Sequence, residues 1–553
     1  MFHPLFLIQF HLNLKFLSSS SFEFGNSIRM SPIVTKLKNS TMLEIQGYLV
    51  LFFLWFISTI FIRSLFKKSE CYKLPPGPPI SFPILGHAPY LRSLLHQALY
   101  KLSTRYGPLM HIMLGSQHVI VASSAESAKQ ILKTCEESFC NRPIMIASES
   151  LTYGAADYFF IPYGNYWRFL KKLCMTELLS GKTLEHFVSI REDEVECFLR
   201  NLLEISKNGK PIEMRHELIR HTNNIISRMT MGKKSSGVND EVGELRKVIR
   251  EIGELLGAFN LGDIIGFMRP FDLQGFGKKN KDTHHKMDAM MEKVLKEHEE
   301  VRAKEGEGSD RKKDLFDILL NLIEADGADS KLTRQSAKAF ALDMFIAGTN
   351  GPASVLEWAL AELIRNPQVF KKARQEIDTI VGKERLVKES DIPNLPYLQA
   401  VVKETLRLHP PTPIFAREAI RSCQVDGYDV PAYSKIFINA WAIGRDPNYW
   451  DNPSVYDPER FLQNDDPSKS KLDVRGQYYQ LLPFGSGRRS CPGASLALIV
   501  IQATLASLVQ CYDWDVNDGK SNEIDMKEVG RVTVFLAKPL KCKPVSHFVP
   551  FSE

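Results

Sequence analysis

The run Phe484-Gly485-Ser486-Gly487-Arg488-Arg489-Ser490-Cys491-Pro492-Gly493 constrains this chain more than any other stretch. It sets one cysteine in a loop that turns into a helix, because Pro492 suits a first helical position and residues 494–508 are apolar and rich in Ala and Leu. A thiolate at Cys491 would lie at a helix N-terminus, where free backbone N–H groups and the dipole favour negative charge. Gly487 and Gly493 let the backbone pass close to something large and flat, and Arg489 offers a planar fork for a carboxylate. A buried free cysteine beside a Gly-rich turn is the plain alternative. The fuller reading is a cradle for haem, with Cys491 as axial ligand and Arg489 facing a propionate.

A second constraint is the longest helical pattern, residues 331–365, which Thr333 can cap and whose middle, Leu342 to Ala347, is almost wholly apolar. At its centre stands Ala347-Gly348-Thr349-Asn350-Gly351-Pro352. Two glycines and a proline inside a helix predict an opened or kinked hydrogen-bond ladder, a place where a ligand approaches the backbone. The other reading is the junction of two helices. Further helical periodicity covers 241–259, 283–304 and 313–324, with a polar break at 306–311, while 117–122 and 436–440 read as strands. The sum is a mainly α domain with a small β part.

Three other groups of residues stand out. Glu404 and Arg407, three apart on a helix from Pro396 to a His409-Pro410-Pro411 stop, share a face. Exposed, such a pair contributes little, but its neighbours Ala400, Val401, Val402 and Leu406 are apolar, so a buried pair seeking a third partner is expected, and Arg460 in Pro458-Glu459-Arg460-Phe461 can be that partner. Trp167 and Lys171 lie four apart on another helix, and Arg417 ends Pro413-Ile414-Phe415-Ala416-Arg417.

The N-terminus carries a membrane address. Residues 48–62 are uncharged and apolar, followed by Arg63 and Lys67-Lys68, which predicts an anchor over 42–68 with the body on the cytosolic side. A cleaved signal peptide is the competing reading, but no small-residue cleavage site follows; Leu74-Pro75-Pro76-Gly77-Pro78-Pro79 makes a stiff spacer within a hinge over 69–80. Residues 1–41 read either as a transit-like segment or as an over-extended start with Met42 as initiator. The nine cysteines form no CxxC pair, which argues for reduced thiols, and a net charge of +6 over 553 residues gives no case for nucleic acid. With no repeat and no long linker after residue 80, residues 81–553 are expected to be one catalytic domain.

These motifs resemble the cytochrome P-450 superfamily. The cysteine loop fits Phe-x-x-Gly-x-Arg-x-Cys-x-Gly through Phe484, Gly487, Arg489, Cys491 and Gly493, and the Glu-x-x-Arg and Pro-Glu-Arg-Phe segments precede it in the superfamily's order. The resemblance implies the P-450 fold, haem b with Cys491 as its iron ligand, and Phe484, Gly493, Trp167, Lys171, Arg417 and Arg489 around the cofactor. It implies a structural lock of Glu404, Arg407 and Arg460, and O2 chemistry with NADPH electrons delivered by a flavoprotein reductase. It also places Phe159, Phe160, Phe345, Ile346, Ile414, Phe415 and Phe535 where substrate is contacted. The chain departs from the pattern at the distal helix, where Asn350, Gly351 and Pro352 replace the usual acid and hydroxyls; proton delivery then falls to ordered water, Thr349, Ser354 or a substrate hydroxyl.

From residue 42 onward the chain is similar to a plant triterpene-oxidising group, the beta-amyrin 24-hydroxylases, through residues 42–48, 86–92, 150–158 and 347–353. That likeness implies hydroxylation of a carbon-4 methyl of an oleanane triterpene, beta-amyrin or sophoradiol, in saponin biosynthesis at the endoplasmic reticulum membrane. Two rivals stay open at this level: a flavonoid monooxygenase, and a haem-containing binding protein or non-oxidative isomerase suggested by the missing acid–alcohol pair.

Overall fold

The computed structural model describes residues 46–59, 72–82, 84–92, 94–154, 157–234, 241–305, 313–324, 332–462, 472–516, 524–530 and 532–550. Residues 1–41 and the polar break at 306–311 lie outside these. The chain divides into two units, Met1–Cys71 and Tyr72–Glu553. Within the first, helix α1 (Gln46–Thr59) is apolar, and Phe52, Phe53 and Trp55 expose more than half of their surface. Residues 42–45 and 60–71, the rest of the expected anchor and the start of the hinge, lie outside the described residues.

In the second unit the helices that matter for the site are α2 (Ile146–Leu151), α3 (Asn165–Leu173), α4 (Val188–Lys207), α5 (Met214–Met231), α6 (Glu241–Leu256), α7 (Phe276–Glu305), α8 (Leu315–Glu324), α9 (Arg334–Arg365), α10 (Pro396–Leu408) and α11 (Ala494–Cys511). The main sheet has four strands, β1 (Leu109–Leu114), β2 (Gln117–Ala122), β3 (Ile414–Glu418) and β4 (Lys435–Asn439), in the order β1-β2-β4-β3. Strands β2 and β4 are parallel, with Val121 opposite Phe437, and the other pairs are antiparallel. A short strand β5 (Phe535–Leu536) lies near the C-terminus.

Two large cores hold the helices. One gathers α4, α10, α11 and the C-terminal half of α9, from Ala353 to Ile364. The other gathers α3, α6, α7, α8 and the N-terminal half of α9, from Ala337 to Phe345. Helix α9 therefore belongs to both, and residues 347–351 fall between them. Thr333 caps it, its hydroxyl accepting from the Ser336 N–H. Helix α9 is continuous from Arg334 to Arg365, which sets aside the junction of two helices, and Pro352, having no N–H, leaves the rung to the Gly348 carbonyl unmade. Gly348 serves close packing, since a Cβ there would stand 2.5 Å from Cδ1 of Ile226 on α5. Helix α11 is long and apolar enough to cross a bilayer, but it is mostly buried and is a core helix. It starts at Ala494 with Gly493 at the N-cap, so Pro492 sits before the helix rather than at its first position.

Candidate functional site

The cysteine loop is held from three sides. Gly485 and Gly487 adopt φ of +67° and +72°, a region open to glycine, and the Cys491 N–H donates to the Phe484 carbonyl at 2.9 Å. The Glu136 carboxylate accepts the Arg488 N–H, and a Cβ on Gly487 would stand 2.7 Å from the Leu132 carbonyl oxygen. The loop therefore lies against the turn 130–139 with no room for a side chain at Gly487. Ser486 closes the third side, its hydroxyl donating to the Gly476 carbonyl at 2.6 Å. Phe484 packs on the α9–α10–α11 core.

Cys491 is exposed by its own surface, yet protein surrounds it closely enough for burial to push its thiol pKa up. Both observations hold if the sulfur lines an internal cavity. The Gly493 N–H and the positive charges of Arg142 and Lys171 oppose that rise, and burial outweighs them. A cation at the sulfur is what would keep it a thiolate.

Around this cavity stand Arg142, Lys171, Arg417 and Arg489. The Arg489 guanidinium donates to the carbonyls of Cys140 at 2.9 Å and Ile161 at 2.5 Å, and reaches those of Tyr158 and Phe159 at 3.4 Å. It also lies 4.6 Å over the Trp167 ring. Arg142 and Arg417 both donate to the Arg489 carbonyl at 3.4 Å. Burial pushes Arg489 down to about 10; burial and the Arg489 charge push Arg417 down to about 10, and burial with the charges of Arg417 and Arg489 takes Arg142 well below its ordinary value. Burial likewise lowers Lys171. Nε and Nη1 of Arg142 and Nε1 of Trp167 are buried without a partner. Orphaned donors among crowded cations beside a cysteine sulfur fit a flat group that carries carboxylates and a metal.

On α10, Glu404 receives a two-pronged bond from Arg407, 2.7 Å to each oxygen, and a third from Arg460 Nε at 3.1 Å. All three are buried. The guanidiniums continue to the carbonyls of Gly444, Pro453, Val455 and Asp451, so no face of the cluster is left unsatisfied by its neighbours.

The residues expected against substrate disperse. Phe345 is fully buried in the α9 N-terminal core and Ile346 packs on the same core. Ile414 packs on the β1–β2 cluster. Phe535 turns its ring to Arg215, whose guanidinium lies 4.9 Å away. Phe415 lies near the cysteine loop, about 4.0 Å from where a Cβ on Gly485 would be. Phe160 is buried, whereas Phe159 is exposed and stacks beneath the Arg142 guanidinium at 3.4 Å. Thr349 corrects the relay expected of it. Its carbonyl accepts from Thr222 at 2.9 Å and its hydroxyl accepts from Asn223 at 3.4 Å, both on α5. Two positions along a helix is a turn of about 200°, so Thr349 faces away from Gly351. Ser354 is likewise engaged, donating to the Val534 carbonyl at 2.6 Å.

A model of the family described as Cytochrome P450 matches residues 75–544. The chain belongs to the cytochrome P450 family. Over 512 residues, 92% of this chain and 100% of the relative, it is 80% identical to a beta-amyrin 24-hydroxylase of Glycine max. It is 45% identical over 511 residues to a 3,9-dihydroxypterocarpan 6A-monooxygenase of the same plant, covering 92% of this chain and 99% of that one. Among solved structures, a zebra fish cytochrome P450 with progesterone superposes with a TM-score of 0.69 at 24% identity, covering 82% of this chain and 99% of that one, which establishes the fold. As a P450 monooxygenase the protein uses haem, O2 and NADPH electrons passed through a reductase.

Sequence reasoning missed Arg142, Glu136 and Asp343 in this P450. Asp343 Oδ2 accepts the Tyr158 N–H at 3.0 Å, pinning to α9 the same segment whose carbonyls Arg489 holds. Its signal was present in the spacing Asp343, Ala347, Gly351, one residue per helical turn.

Proposed function

We propose that this P450 hydroxylates a carbon-4 methyl of an oleanane triterpene, beta-amyrin or sophoradiol, at the 24 position. The observation that carries this is the 80% identity across the whole length of a beta-amyrin 24-hydroxylase, against 45% for the pterocarpan-oxidising relative. Cys491 would hold the haem iron through its sulfur, and haem bound there would supply the oxidising chemistry. Arg142 and Trp167, whose donors lack a partner, would hold its carboxylates together with the charges of Arg417 and Lys171. Arg489 contributes mainly by fixing the 140–161 segment, because its guanidinium is already bonded to carbonyls there. Gly493 leaves the approach to the sulfur open, with nothing within 4 Å of a Cβ built on it. Glu404, Arg407 and Arg460 form a buried lock that helps retain the cofactor.

The exposed apolar helix α1 supports anchoring of the catalytic body, residues 81–553, to the endoplasmic reticulum membrane behind a hinge over 69–80. A lipid-dissolved substrate suits that address. Met42 is the working start. Feeding beta-amyrin to membranes that hold this chain and a reductase should yield the 24-alcohol with NADPH consumed in proportion; oxidation of a flavonoid instead, or NADPH use with no product, overturns the reading. A chain begun at Met42 should keep activity and membrane residence, and one begun after Lys68 should leave the membrane with its haem site intact.

A further inference from the structure

On α9, positions 343, 347, 350 and 351 form one strip, since 347 lies four residues from 343 and the neighbours 350 and 351 lie three and four from 347. Each has open surface although the helix is buried toward both ends: Ala347 is exposed, and Asp343, Asn350 and Gly351 are partly so. Asp343 is engaged by the Tyr158 N–H. The Asn350 amide has no hydrogen-bond partner among the described residues; its Nδ2 lies 3.7 Å from where a Cβ on Gly253 of α6 would be. Beside it, a Cβ on Gly351 would meet nothing within 4 Å. A glycine in a helix interior destabilises it by roughly 0.5–1 kcal/mol relative to alanine, and no neighbour requires one here.

We propose that Asn350 and the space over Gly351 form the seat of a substrate hydroxyl vicinal to the carbon that bears the reacting methyl. This rests on the triterpene reading above. In beta-amyrin the 3-hydroxyl adjoins carbon 4, so a substrate presenting its carbon-4 methyl to the cavity brings that hydroxyl with it. A primary amide both donates and accepts, as does an alcohol, so the two satisfy each other in either sense. One such bond fixes which end of a hydrocarbon skeleton enters and which methyl faces the reacting centre, because apolar contacts alone distinguish its ends poorly. Gly351 supplies the room: a side chain there would occupy the volume the hydroxyl needs.

The test is substrate-induced spectral titration of the haem-loaded full chain with beta-amyrin and with its 3-deoxy analogue. Wild type should bind beta-amyrin about three- to tenfold more tightly, the worth of one hydrogen bond. In Asn350→Ala, and in the more nearly isosteric Asn350→Leu, the ratio should fall to about one, chiefly through weaker beta-amyrin binding. Gly351→Ala should weaken beta-amyrin more than the deoxy analogue. A thiolate-type absorption band in the reduced, CO-bound variants certifies the fold. A ratio in both Asn350 variants equal to that of wild type overturns the proposal while leaving the triterpene reading in place. Binding of neither triterpene by wild type overturns both.

Discussion

The cysteine loop and helix α9 use glycine in opposite ways. In the cysteine loop, Gly487 has a positive φ and lies where any Cβ would strike Glu136 and the Leu132 carbonyl. On α9, Gly351 has an ordinary helical backbone and open space where its side chain would be. The loop is specified by contact: backbone bonds, the Glu136 carboxylate and the Ser486 hydroxyl fix its path. The helix strip is specified by what it leaves unfilled. A site of this kind needs both, a rigid frame for the cofactor and uncommitted surface for a bulky substrate.

The sharpest way to break the comparison is at the sulfur. Cys491→Ser should abolish the thiolate-type band of the reduced, CO-bound protein together with product formation, because an alcohol is not ionised near neutral pH; a variant keeping that band would move the frame elsewhere. Next in size is Glu404→Ala, which strands the buried guanidiniums of Arg407 and Arg460. It should destabilise the fold by about 3–5 kcal/mol and lower haem retention, read by chemical denaturation and by haem content per protein. Smaller still is Gly348→Ala, where a methyl would press on Ile226. A loss of about 1–2 kcal/mol is expected, overpacking outweighing the gain in helix propensity, and thermal unfolding measures it. Smallest is Gly351→Ala, three residues on, which should raise stability by about 0.5–1 kcal/mol in the same measurement. If the two glycine variants shift stability in the same direction, the contrast between packed and open glycine fails.

What the sequence made legible follows the same division. Glu404, Arg407 and Arg460 could be read in advance because a buried ion cluster needs fixed residue types at fixed helical spacing. The cysteine loop was readable for a similar reason, its glycines and cysteine being tied to backbone geometry. The residues of the open side were not. Phe345, Ile414 and Phe535 are apolar residues near the site in the chain, but periodicity does not tell a core face from a cavity face when both are apolar. Thr349 misled because a hydroxyl next to a glycine looks available until α5 is known to pack against it. Arg142 was missed because its role depends on Arg417 and Arg489, some 275 and 347 residues away in the chain, and no local pattern encodes that meeting.

Helix α9 is a beam shared by two rooms. The strip from Asp343 to Gly351 is the seam where one core's packing stops and the other's begins, so the cavity is not hollowed out of either. Helices α5 and α11 also pass from one core to the other, with Met214, Leu218 and Leu498 in one and Ile225, Met229 and Leu496 in the other, so three helices tie the two cores together. Room beside the strip is then what two close-packed interiors leave unfilled between them, and it can be occupied without disturbing the side chains of either.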